Sequence, residues 1–166
     1  MGNPQEGYVF RPPLWYNGNM INPIYIAGLI DGEGYLGLLP CKSMRLKNQS
    51  FEPVVKIGMT GRDSKELFLN LQSQYGGTVE QRGSLTKGNR EAYTYVLKGK
   101  KRVWTLLYDI EEHLVIKQSQ CKLLQEFCLL PMTHSLHKNF DESVLTRKIE
   151  IYSELKELKQ PPATTK

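Results

Sequence analysis

Histidine and cysteine are scarce in this 166-residue chain, three of each, and their scarcity excludes several chemistries. The cysteines, Cys41, Cys121 and Cys128, are odd in number and lack metal-type spacing, which argues against a zinc cage or a disulfide framework. They read as reduced thiols of an intracellular protein. His134 and His137 have a spacing found in metal sites, but no cysteine or third histidine falls nearby, so the segment reads as a loop. No apolar run approaches the roughly 20 residues of a membrane span, so no membrane partner is expected. The opening MGNPQEGYVFRPPLW lacks the basic-then-apolar pattern of a secretory signal. Phosphate-loop, dinucleotide-fingerprint and nucleophile-elbow motifs are absent too.

Hydrophobic residues make up 40% and charged residues 23%, a globular composition with enough chain for one ordinary core. The net charge of +5 is unevenly spread. Residues 1–34 carry −2, residues 35–102 carry thirteen basic against five acidic side chains, or +8, and residues 103–166 carry −1. A basic middle between nearly neutral flanks suggests a surface that meets a polyanion.

Residues 1–21 are rich in Pro, Gly, Asn and aromatics without periodicity, and read as an irregular arm pinned by Phe10, Trp15 and Tyr16. Asn22-Pro23 opens a helix, Asn as N-cap and Pro at the first position. That helix, Ile24 to about Asp31, is apolar nearly all round and must be covered on every side, which points to a partner chain. Strands follow at 35–41 and 51–59 around the basic loop KSMRLKNQS. A helix from Asp63, with Glu66 at capping-box spacing, ends at Gly76-Gly77. A second strand pair, 78–85 and 91–98, surrounds TKGNR. Helices are expected at 100–112 and 115–130, and after Asp141 as N-cap. The domain is placed at residues 22–160, with 161–166 as a disordered tail.

The most informative stretch is Ile26-Ala27-Gly28-Leu29-Ile30-Asp31-Gly32-Glu33-Gly34. Gly28 and Gly32 lie four apart on one helical face with Ala27 beside them, and small residues there let two helices approach to backbone contact. If the chain pairs through this helix, two Glu33 carboxylates meet at the two-fold axis. With backbone carbonyls they form a hard-oxygen site suited to Mg²⁺ and to phosphodiester cleavage.

The stretch resembles the LAGLIDADG signature at all but three positions, and the αββαββα order covers residues 22 to about 158. The resemblance to this homing endonuclease family implies an α+β fold with additional C-terminal helices and an antiparallel β saddle for DNA. It implies a metal site of Gly32, through its carbonyl, and Glu33, with Mn²⁺ or Ca²⁺ as substitutes for Mg²⁺ in binding. It also implies a basic residue beside the scissile phosphate, here Lys117, with Gln118 as its polar neighbour. Asp31 is expected to brace the helix interface formed by Ala27, Gly28, Asp31 and Gly32. A polar, water-positioning side chain is expected at the end of the second strand. Met59 falls closest to that spot, so Thr60 or Arg62 substitutes, or the register slips by one, or the water is held another way.

A two-stranded ribbon fits the major groove and presents alternate side chains to it. The candidate faces are Gly37, Leu39 and Cys41; Glu52, Val54 and Lys56; Glu80, Arg82 and Ser84; and Thr94, Val96 and Lys98. Arg82 is the leading base reader. Lys42, Arg45, Lys47 and Gln49 in one loop, and Lys87 and Arg90 in the other, are expected on phosphates or outer bases. Lys100, Lys101 and Arg102 are expected as a phosphate clamp. A single motif implies a homodimer acting on double-stranded DNA, encoded within an intron or intein and working where DNA is accessible. The alternatives are a related maturase that binds intron RNA, a regulator that binds DNA without cutting it, and a structural module whose basic middle is incidental.

Overall fold

The computed structural model describes residues 20–41, 50–61, 63–82, 91–131 and 141–159. Asn22 opens helix α1 (Pro23–Glu33) as expected, its side chain accepting from the Ile24 amide at 2.8 Å with Pro23 at the first position. Strands β1 (Gly34–Cys41) and β2 (Ser50–Thr60), helix α2 (Asp63–Tyr75), and strands β3 (Thr78–Arg82) and β4 (Ala92–Lys98) follow. Helix α3 (Lys100–Ile110), a 3-10 turn (Glu111–His113), α4 (Gln118–Leu129) and α5 (Glu142–Glu157) complete the described chain. Asp141 caps α5 by accepting from the Ser143 amide. The fold is α+β, and all strand pairings are antiparallel in the order β1-β2-β4-β3.

Alternation gives the sheet two unlike faces. Leu36 and Leu38 of β1, Val55 and Ile57 of β2, and Tyr93, Tyr95 and Leu97 of β4 belong to the core, joined by Ile26, Ile30, Phe68, Leu106, Leu107 and Phe127 from the helices. Each fully buried large apolar side chain stabilises the fold by about 1.5–3 kcal/mol. The intervening residues face the other way, as expected. Across that outer face Tyr35 stands opposite Lys56, Lys56 opposite Val96, and Val96 opposite Thr78. Glu80 and Gly58 flank Thr94, and Arg82 and Thr60 flank Ala92. The turn from α2 into β3 requires its glycine: Gly77 has φ +92, and a Cβ there would lie 2.6 Å from the Val96 carbonyl.

Three boundaries differ from expectation. The fourth helix begins at Gln118 rather than 115, because the Val115 and Lys117 amides donate to Asp31 and hold 115–117 as a bend. The third helix ends at Ile110 and passes into the 3-10 turn. The third strand is described only to Arg82. The arm residues Phe10, Trp15 and Tyr16, the His134/His137 pair and the tail 161–166 lie outside the described residues. Among the described residues no helix is long and apolar enough to cross a membrane.

The C-terminal end of α4 is held by two lysines. Lys148, 5% exposed, donates to the Pro131 carbonyl at 2.6 Å, and Lys100 donates to the Leu130 carbonyl. Both amines lie over the Phe127 ring, 6.0 and 5.2 Å from its centroid. Lys100 is therefore turned into the subunit and does not serve in the expected phosphate clamp. Burial, aided by the neighbouring Lys100 charge, pushes the Lys148 amine down to about 8.

Because the folded amine releases its proton more readily than the unfolded one, the cost of holding it is full below pH 8 and fades as pH rises toward the unfolded value of roughly 10.4. Thermal unfolding of wild type and Lys148→Met between pH 7 and 10 is expected to show wild type gaining stability relative to the variant as pH rises. Parallel profiles would remove Lys148 as the cause.

Candidate active site

The last turn of α1 carries the site. The chain passes from helix to strand at Gly34, whose amide caps the helix by donating to the Ile30 carbonyl. A Cβ at Gly34 would lie 2.7 Å from both the Ile30 Cα and its carbonyl oxygen, so only glycine allows so abrupt a turn. Gly28 and Gly32 are different: among the described residues nothing beyond the helix's own backbone lies within 4 Å of where their Cβ atoms would sit. Both are exposed, with Ile24 60% and Tyr25 53% exposed on the same helix. Two helical glycines that no packing among the described residues requires cost roughly 1 kcal/mol each relative to alanine.

Asp31 and Lys117 lock this turn to the segment before α4. The Asp31 carboxylate accepts from the Val115 amide at 2.7 Å and the Lys117 amide at 2.9 Å. In return the Lys117 ammonium donates to the Ile30 and Asp31 carbonyls, at 2.7 and 2.6 Å. A cation on the terminal carbonyls suits the negative end of the helix dipole. Burial pushes the Asp31 carboxyl up, but the amides of residues 115, 117 and 116 and the Lys117 charge outweigh it and leave it below its ordinary value. The bend also presents Val115 and Ile116 to solvent, 85% and 74% exposed. The sequence reading had placed both within a helix.

Beyond the lock, Glu33 is exposed and opens onto a cleft of about 420 Å³ lined also by Gly58, Met59, Thr60, Arg82, Ala92, Tyr93 and Thr94. Its carboxylate makes no hydrogen bond or ion pair among the described residues. The register settles which residue at the end of β2 faces outward. Met59 packs against the core, whereas Thr60 lies on the outer face with Gly58 and Lys56. Thr60, not Met59, is the polar side chain beside Glu33. Counting alternation outward from Val55 and Ile57 gives the same answer.

Other expected residues divide sharply. Arg82, Thr94, Glu80 and Lys56 share the outer face, and Arg82 reaches the cleft of Glu33. Lys98 is on that face too, paired with Glu52 at 3.6 Å in an exposed ion pair that adds little stability. Gln118 is exposed in the first turn of α4 and does not line the cleft. Lys101 is exposed, and Arg102 lies along Gly76, 3.3 Å from where a Cβ there would sit. Ala27, expected at the helix interface, is instead fully buried in the core of this chain, and Asp31 braces residues 115–117 of the same chain. Lys42, Arg45, Lys47, Gln49, Arg62, Ser84, Lys87 and Arg90 lie outside the described residues.

Among the described residues no three His, Cys, Asp or Glu side chains cluster closely enough to hold a metal. One chain offers the Glu33 carboxylate, with Thr60 and Thr94 lining the same cleft. An all-oxygen donor set suits a hard cation such as Mg²⁺ or Ca²⁺ and is poorly matched to zinc, and among the described residues Glu33 is the one carboxylate lining this cleft.

No protein-family model matches the sequence, and no curated protein does. Solved structures do match the fold. The chain superposes on the homing endonuclease I-CvuI in complex with its target with a TM-score of 0.67 at 18% identity, over 90% of this chain and 88% of that one. The archaeal intron-encoded homing endonuclease I-Vdi141I, complexed with DNA, matches with a TM-score of 0.63 at 18% identity, over 87% of each chain. The LAGLIDADG homing endonuclease I-GzeII, in complex with a DNA target, matches with a TM-score of 0.61 at 21% identity, over 82% of this chain and 48% of that one.

Asp31→Asn keeps the shape of the lock but weakens two charge-assisted bonds, and is expected to lower stability at pH 7 by about 1–3 kcal/mol. Since the folded carboxyl is held below its ordinary value, wild type loses this increment as pH falls through the lowered pKa, and the variant has none to lose. Urea unfolding at pH 7 and at pH 3 checks both; equal midpoints at pH 7 would dismiss the lock as a source of stability.

Proposed function

We propose that this chain, which has the fold of the LAGLIDADG homing endonucleases, works as a homodimer that hydrolyses both strands of a long, nearly two-fold symmetric DNA site with Mg²⁺. The observation that carries this reading is the Glu33 carboxylate, unpaired among the described residues. It opens onto the cleft where the outer sheet face meets the end of a helix whose exposed glycines, Gly28 and Gly32, meet nothing else among the described residues.

A second copy accounts for those glycines. Helices packed at Gly28 and Gly32 bring their backbones close, and Ile24, Tyr25, Val115 and Ile116 supply apolar area around the contact. The two Glu33 carboxylates then lie side by side, completing with the Gly32 carbonyls the oxygen site that one chain only begins. Glu33 and the Gly32 carbonyl of each copy would hold Mg²⁺, which when bound would supply charge neutralisation at the phosphodiester and a more acidic water. Thr60 is suited to orient water at the cleft, and Arg82 to hold a phosphate or a guanine edge there. Lys117, with its amine on the α1 carbonyls, positions Glu33 rather than touching substrate. Lys56, Glu80 and Thr94 face the major groove from the strands, and Lys101 remains available to phosphate. The gene is expected within an intron or intein, and the protein works where DNA is accessible.

Selection of cut sites from a randomised duplex library, with Mg²⁺ and with EDTA, tests the reading. A roughly palindromic site cut only with Mg²⁺ is expected, with Glu33→Gln abolishing cleavage while leaving affinity for that site within a few-fold of wild type. Salt-sensitive binding without cutting under any metal condition would assign the protein to the non-cleaving DNA or intron-RNA binders instead.

A further inference from the structure

Strand β1 lies at the edge of the sheet, and its outer face is not left to its own residues. The chain leaving α5 brings the Lys159 ammonium to 3.8 Å from the centroid of the Tyr35 ring. A Cβ at Gly37, two residues along the same face, would lie 2.5 Å from Lys159 Nζ and 2.7 Å from the Tyr35 hydroxyl oxygen. The amine and the phenol therefore fill the space that a side chain at position 37 would need. They sit beside the cross-strand pairs Tyr35–Lys56, Gly37–Val54 and Val54–Lys98. Val54 is fully buried although it faces away from the helices.

We infer that Lys159 is a DNA-phosphate contact, supplied to the outer sheet face by the last helix rather than by a strand or hairpin loop. The inference rests on the reading of that face as the DNA surface and adds a cation to it. Lys159 joins Lys56 and Lys98 around Gly37 and Val54. Glu52, the nearby acid, is engaged with Lys98, and among the described residues no carboxylate pairs with Lys159. Burial pushes the Lys159 amine down to about 8. The ring face beneath the amine orients it without neutralising it. Lys159 thus takes the part expected of Lys100, which the fold turns inward.

Non-specific affinity reads backbone contacts without requiring the recognition site, because each phosphate neutralised adds about one unit to the slope of log K against log salt. The full-length protein would be titrated with a mixed-sequence DNA duplex across a salt series, as wild type, Lys159→Gln, Lys159→Arg, Gly37→Ala and, as an exposed-lysine control on α4, Lys122→Gln. Lys159→Gln is expected to flatten the slope by about one unit per subunit. Gly37→Ala should do the same by displacing the amine, whereas Lys159→Arg and Lys122→Gln should retain the wild-type slope. A steep wild-type slope left unchanged in Lys159→Gln would overturn the contact, and a lowered melting temperature with an unchanged slope would reduce Lys159 to a packing role. A flat slope in wild type would overturn the DNA reading of the whole face along with it.

Discussion

Where α1 ends, two groups exchange hydrogen bonds with each other's backbone: the Asp31 carboxylate takes the amides of Val115 and Lys117, and the Lys117 ammonium takes the carbonyls of Ile30 and Asp31. A helix leaves its last carbonyls without partners, and its negative end attracts a cation, so both halves of the exchange satisfy what the geometry leaves open. Much else depends on it. The turn at Gly34 is abrupt because glycine leaves room beside Ile30, and the lock ties the helix down just before it, where Glu33 emerges unpaired among the described residues. The same tie delays the start of α4 and leaves Val115 and Ile116 outside the subunit's own core.

The sheet divides its labour by face. The inner residues belong to the apolar core, while the outer ones carry lysines, an arginine, threonines and glutamates whose exposed charges contribute little to folding. Those charges therefore remain available for a polyanion. The exceptions are informative. Lys100 and Lys148 lie on the helical side over Phe127 and are used for the α4 carbonyls, whereas Lys159 crosses the β1 edge to the outer side. A charge count along the chain treats all three alike.

Much of the architecture was legible because it follows from local chemistry. Asn22-Pro23 starts one helix, Asp141 caps another, and the period-two placement of Leu36 and Leu38, Val55 and Ile57, and Tyr93, Tyr95 and Leu97 sets the face that packs on the helices. The resemblance of residues 26–34 to a family signature pointed to Glu33 and to Lys117 near it. Local reading leaves Met59, Thr60 and Arg62 open because a one-residue slip in a strand exchanges faces, and the strand pairing turns Thr60 outward and packs Met59 on the core. Ala27 was assigned to the exposed helix face from its small size, yet it is fully buried within its own subunit.

By itself the sequence determined the element order, the two-faced strands, the basic middle segment and the capped start of the first helix. These depend on periodicity, capping and steric limits that act within a few residues. Only the tertiary structure decided which lysines are buried, that Asp31 grips a segment 84 residues away, and that Lys159 reaches Tyr35. A side chain's charge is written in its identity. Its solvation and its partners are set by which distant surfaces the core brings together.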